Sequence, residues 1–123
     1  MGEYSDKVAN QYTKTYIRPQ ESGYKTDVRW LMLQNNLGKG LKITGKQTLG
    51  FSALNISTEQ IDPGMYKSQR HQTDLNATDK VYLNVDFKQR GVGGDDSWGS
   101  LPHKQYLLLD KQYTYSYTLS LIP

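Results

Sequence analysis

The sequence predicts an all-β fold, an antiparallel β-sandwich, and three observations carry the prediction. Short runs of alternating apolar and polar residues, the period of a half-buried strand, recur between clusters of Gly, Asn, Asp and Pro. Ten tyrosines stand against two phenylalanines, which suits strands with one wet face. No segment sustains a long helical periodicity, and there is no internal repeat or low-complexity stretch. The length of 123 residues suits one domain, residues 1–123, with a modest core.

In chain order, Gly2–Gln11 is polar and reads as a turn region, and Tyr12–Ile17 alternates aromatic and polar residues as a short strand. Pro19–Gly23 is a turn, with Pro and Gly as breakers. Asp27–Leu33 is a strong strand with Val28, Trp30 and Met32 on one face and Arg29, Leu31 and Leu33 on the other. Asn35–Gly40 has hairpin chemistry, and Leu41–Lys46 returns as the partner strand. Gly50–Ile56 reads as a further, separate strand. Ser57–Gln69 is the one helical candidate; Ser57 or Thr58 caps it and Pro63-Gly64 breaks it, leaving one or two turns. Val81–Phe87 is a strand, and Tyr106–Leu109 and Tyr113–Leu121 are closing strands joined at Asp110-Lys111-Gln112. In the last strand Tyr113, Tyr115, Tyr117 and Leu119 share a face.

Gly91–Trp98, Gly-Val-Gly-Gly-Asp-Asp-Ser-Trp, interrupts this pattern. Three glycines in four residues cannot be a strand interior, so the stretch is a shaped loop. Asp95, Asp96 and Ser97 can bond their own backbone and stiffen it. The residues leave two readings of Trp98: a plug on its own sandwich, or a platform for a sugar ring or another flat apolar face.

Val81–Trp98 resembles the C-terminal segment of the large LacZ-type bacterial β-galactosidases of glycoside hydrolase family 2. The matching residues are Asn84-Val85-Asp86 and the whole of Gly91 to Trp98. Pro19-Gln20-Glu21-Ser22-Gly23 with Asp27-Val28-Arg29-Trp30 is similar to a second family motif, with Ser22 where Asn is usual. Gly2-Glu3-Tyr4-Ser5-Asp6-Lys7 resembles a third in shortened form, with Lys7 in place of Arg. Phe51–Ser57 and His71 with Asp74-Leu75 continue the resemblance, which covers nearly the whole chain in order. It implies the C-terminal portion of a terminal β-sandwich domain, part of a galactose-mutarotase-like supersandwich. The first half of that domain and the catalytic barrel are then missing, and Met1 stands inside a longer polypeptide. It further implies that Trp98 stacks on the aglycone, on a loop shaped by Gly91, Gly93, Gly94, Asp95, Asp96 and Ser97.

The sequence carries no catalytic constellation of its own. A retaining glycosidase needs two carboxyl groups about 5–5.5 Å apart, and no such pair stands out; Asp95 and Asp96 read as organisers of the turn. His71 and His103 lack metal-ligand spacing and read as ordinary surface or turn histidines, so no metal site is expected. No cofactor is expected within the chain; by resemblance, the parent enzyme's Mg2+ and monovalent cation belong to the barrel. The absence of cysteine excludes disulfides and thiolate chemistry. A net charge of +3 with interleaved signs implies no nucleic-acid partner, and no apolar run approaches a membrane span. The expected partners are a β-galactoside sugar in the parent active site, the rest of the parent chain, and a second copy pairing through bare sheet edges in a homo-oligomer. The N-terminus lacks a signal-peptide pattern, and the compartment, bacterial cytoplasm or periplasm, stays open. The competing readings are a free-standing carbohydrate-binding module and a purely structural packing domain.

Overall fold

The computed structural model describes residues 2–14, 22–62, 64–65, 70–96 and 98–123. The fold is all-β and mostly antiparallel, with strands β1 (Lys25–Gln34), β2 (Gly40–Leu54), β3 (Tyr82–Asp86) and β4 (Tyr117–Ile122). They form a four-stranded sheet in the order β1-β2-β3, with β4 also paired to β2. One short helix, α1 (Thr58–Ile61), and three 3-10 turns complete the described elements. The chain divides into two compact units, Met1–Lys25 with Phe51–Val85, and Thr26–Gly50 with Asp86–Pro123.

The hairpin between β1 and β2 follows from local chemistry. The Asn35 side-chain oxygen accepts the Leu37 and Lys39 N–H groups at 2.9 and 3.1 Å. The Asn35 N–H donates to the Lys39 carbonyl at 2.9 Å, closing the turn. Gly38 sits at φ +79°, where a Cβ would be strained. Within β1, Leu31 is buried and Met32 exposed, and the Lys42 amine lies 5.3 Å above the Trp30 ring.

Two expected strands, Leu41–Lys46 and Gly50–Ile56, are one strand of 15 residues. The polar run Lys46-Gln47-Thr48 does not end the extended conformation. Ile43 and Leu49 are buried, Gly45 and Gln47 half-buried, and Thr44, Lys46 and Thr48 exposed, so the alternation runs unbroken. Gly45 belongs to this packing: a Cβ there would lie 2.8 Å from the Leu49 Cγ.

The C-terminal strands are also corrected. Tyr106–Leu109 is not a strand; Lys104–Tyr106 is a 3-10 turn. The Tyr106 N–H donates to the His103 carbonyl and its own carbonyl accepts from Gly91, so its backbone is committed to the turn and to the loop neck. The expected strand Tyr113–Leu121 shortens to β4, which pairs antiparallel to β2 from Gly45↔Tyr117 to Gly40↔Ile122. Before it, Tyr113 and Tyr115 pack their rings 5.9 and 6.0 Å from that of Phe87.

In the unit containing Phe51–Val85, Tyr12, Leu54, Ile56 and Ile61 form a buried cluster against Leu75. Buried Ser52 accepts a hydrogen bond from the Asn84 amide at 3.0 Å, which satisfies its hydroxyl. Tyr12–Lys14, the described part of the strand expected at Tyr12–Ile17, forms no strand. The rest of that strand and most of the Pro19–Gly23 turn lie outside the described residues. Of the helical candidate Ser57–Gln69, four residues form α1, and Asp62 is already extended. Ser57 occupies the N-cap position without a capping bond from its side chain. The Glu59 backbone N–H first, then the Ser57 hydroxyl, holds the Glu59 carboxyl below the usual carboxylate range.

The burial pattern predicts which residues hold the sheet. Leu49→Ala or Ile43→Ala, at 1% and 2% exposure, should cost about 2–5 kcal/mol. Leu121→Ala, at 83% exposure, should cost roughly 0.5 kcal/mol or less. Denaturant melts of the three variants check the contrast, and a Leu121 effect as large as that of Leu49 would contradict it.

Candidate functional site

The loop that follows β3 is built from its neck outward. The Gly91 N–H donates to the Tyr106 carbonyl at 2.8 Å, joining the two limbs. A Cβ on Gly91 would lie 2.9 Å from the Tyr106 Cβ, so glycine fits the neck. Farther out the limbs nearly touch: a Cβ on Gly94 would run into the Ser100 carbonyl and lie 2.7 Å from its carbon. Gly93 differs, since a Cβ there would meet open space. Gly99, at φ +116°, lets the chain turn back after Trp98 in a conformation that side chains oppose.

The two aspartates point to different partners. Asp96 Oδ1 accepts the backbone N–H groups of Trp98 and Ser100 at 2.8 and 3.2 Å, and its Oδ2 accepts the Ser100 hydroxyl at 2.7 Å. The Ser100 hydroxyl first, then the two N–H groups, holds this carboxyl below the usual carboxylate range. Asp95 instead reaches across the loop, and its Oδ1 lies 2.7 Å from His103 Nε2. Ser97 lies outside the described residues.

Trp98 is 93% exposed, so it is not a plug on its own sheet. Val92, flanked by glycines, is equally exposed at 93%. From the sequence alone Val92 carries no role, and His103 reads as an ordinary surface or turn histidine. The isolated apolar side chain among glycines was the available signal for Val92. Nothing local marks His103, because its partner is eight residues away. Behind the neck lies a cavity of about 320 Å³ lined in part by Lys88, Gly91, Tyr106, Asp110 and Tyr113.

The arrangement can present an apolar ring at a fixed backbone position. Among the described residues no group of three or more His, Cys, Asp or Glu is placed to hold a metal ion. No helix among them is long and apolar enough to cross a membrane.

Two predictions follow from the loop geometry. Gly94→Ala should displace the Trp98 limb and Gly93→Ala should not, read from backbone amide shifts over 91–102; equal shifts would refute the close approach. Asp96, lowered when folded, stabilises the loop fully above its unfolded pKa, and that stabilisation is lost as pH falls through the lower folded value. The chemical shift of the Trp98 amide proton should therefore change with a midpoint below that of an ordinary exposed aspartate, and a midpoint at the ordinary value would contradict the bond.

Comparison with known proteins gives the lineage. The family described as "Beta galactosidase small chain" matches residues 1–120. A beta-galactosidase from Priestia megaterium is 42% identical over 105 residues, 85% of this chain and 10% of that protein. A beta-galactosidase from Streptococcus thermophilus is 38% identical over 109 residues, 88% of this chain and 10% of its own length. One from Pseudoalteromonas haloplanktis is 34% identical over 119 residues, 97% of this chain and 10% of its length. The chain thus spans about a tenth of the length of the curated relatives it matches, and it belongs to the β-galactosidase small-chain family.

Proposed function

We propose that this chain is the C-terminal portion of the terminal domain of a β-galactosidase, with an accessory rather than catalytic role in hydrolysing terminal β-D-galactosides. The rest of that domain and a retaining catalytic barrel with its Mg2+ and monovalent cation belong to the parent protein. The single observation that carries this reading is the exposed indole of Trp98 on a backbone pinned by Asp96. An aromatic face in water with a fixed backbone suits stacking on a sugar ring, and in the parent active site that ring is the aglycone. Gly91, Gly93, Gly94, Asp95, Asp96 and Ser97 form the loop that carries it. The edge of β4 away from β2, which pairs with no other strand among the described residues, and the exposed Leu119 and Leu121 side chains support self-association when the rest of the domain is absent.

The role assigned to Trp98 makes the mutant selective. In the parent enzyme, Trp98→Ala should weaken glucose-like acceptors and lactose-like substrates by about 1–3 kcal/mol, by analogy with base stacking on aromatics. That is roughly a 5- to 150-fold loss. Ligands that fill only the galactose subsite should change much less. Stability should hardly move, whereas a buried Trp→Ala costs about 3–5 kcal/mol. Inhibition constants for both ligand types and a melting curve test this; unchanged glucose affinity with a large drop in Tm would overturn it.

The accessory role has its own test. The 123-residue chain, assayed with an aryl β-galactoside, should show no turnover. Turnover abolished by mutating a carboxylate within these residues would overturn the non-catalytic assignment.

A further inference from the structure

Trp98 sits at the turn of a loop whose limbs are joined at successive levels. Gly91 and Tyr106 are hydrogen-bonded at the neck, and Gly94 lies against Ser100 farther out. A pair of side chains also links the two limbs: His103 Nε2 lies 2.7 Å from Asp95 Oδ1. The His103 end is firmly planted. Pro102 before it is buried and has a fixed φ. The His103 carbonyl accepts the Tyr106 N–H at 2.8 Å, opening the 3-10 turn Lys104–Tyr106. The Asp95 end adjoins Asp96, whose carboxylate holds the Trp98 and Ser100 N–H groups. Force on the Asp95 side chain is therefore passed within one residue to the group that fixes the Trp98 backbone.

We propose that His103 is a positioning residue for Trp98, acting through Asp95 to hold the two limbs of the loop together. The inference rests on the reading of Trp98 as an aglycone platform. His103 does not touch the sugar in this role; it narrows the range of positions from which the indole meets it. Both side chains are solvent-exposed, 58% for His103 and 80% for Asp95, so the tie is modest. Its loss should weaken aglycone binding by about two- to fivefold, the range of an exposed pair.

The test uses the full-length parent enzyme, with D-glucose as the aglycone probe and D-galactose as the probe of the other subsite. His103→Ala should raise the glucose inhibition constant about two- to fivefold and leave that of galactose within error. His103→Gln, which keeps an N–H donor at similar reach, should recover most of the loss. Asp95→Ala should reproduce His103→Ala from the other side of the gap. In a Trp98→Ala background, His103→Ala should add nothing, because the group it positions is gone. Equal weakening of glucose and galactose, or effects of His103→Ala and Trp98→Ala that simply add, would overturn the proposal in favour of a general structural role. If Trp98→Ala weakens glucose and His103→Ala does not, the positioning role falls and the platform reading stands. If Trp98→Ala leaves glucose binding unchanged, the platform reading falls and this inference with it.

Discussion

Strand β2 is the constraint on which the sheet depends. β1, β3 and β4 all hydrogen-bond to it, so its 15 extended residues set the register of the others. Farther along β2, Ser52, Ala53 and Leu54 are buried in succession, while Ile43 and Leu49 are buried at alternate positions of the strand. Gly45, between them, leaves room for the Leu49 side chain. A side chain at Gly45 would therefore act on core packing as well as on the local backbone.

The loop after β3 relies on a different kind of interaction. Hydrophobic contact does little there, since Val92 and Trp98 both face water. Shape comes from polar groups that bond their near neighbours and from close backbone approaches that only glycine permits. Asp96 gathers donors from the residues beyond it, while Gly91 and Gly94 let the limbs come together. An apolar ring is kept in solvent because the backbone beneath it is satisfied without it.

The fold class and the hairpin were legible in the sequence because their causes are local. Asn35 and Gly38 carry the turn within five residues, and alternation marks β1 and β3 directly. The continuity of β2 was hidden because polar Gln47 and Thr48 fall between the expected strands Leu41–Lys46 and Gly50–Ile56, although a strand with one wet face tolerates them. The C-terminal region misled for the opposite reason: Tyr106–Leu109 has strand-like composition, but the Tyr106 carbonyl is taken by Gly91, fifteen residues earlier. At the candidate site, composition identified the loop and its tryptophan. It could not distinguish Gly93 from Gly94, or show that adjacent Asp95 and Asp96 face different partners. Those distinctions depend on which atoms the returning limb brings close.

The environments of the two tryptophans have a spectroscopic consequence. The chain contains only Trp30 and Trp98. Trp30 is half-buried beneath the Lys42 amine, while Trp98 lies almost wholly in water. A hydrated indole emits at longer wavelength than a shielded one, and a dissolved quencher reaches it more readily. The red, quenchable part of the chain's fluorescence therefore belongs to the loop, and the bluer, protected part to the sheet. The molecule carries separate optical reporters for its scaffold and for the surface that scaffold displays.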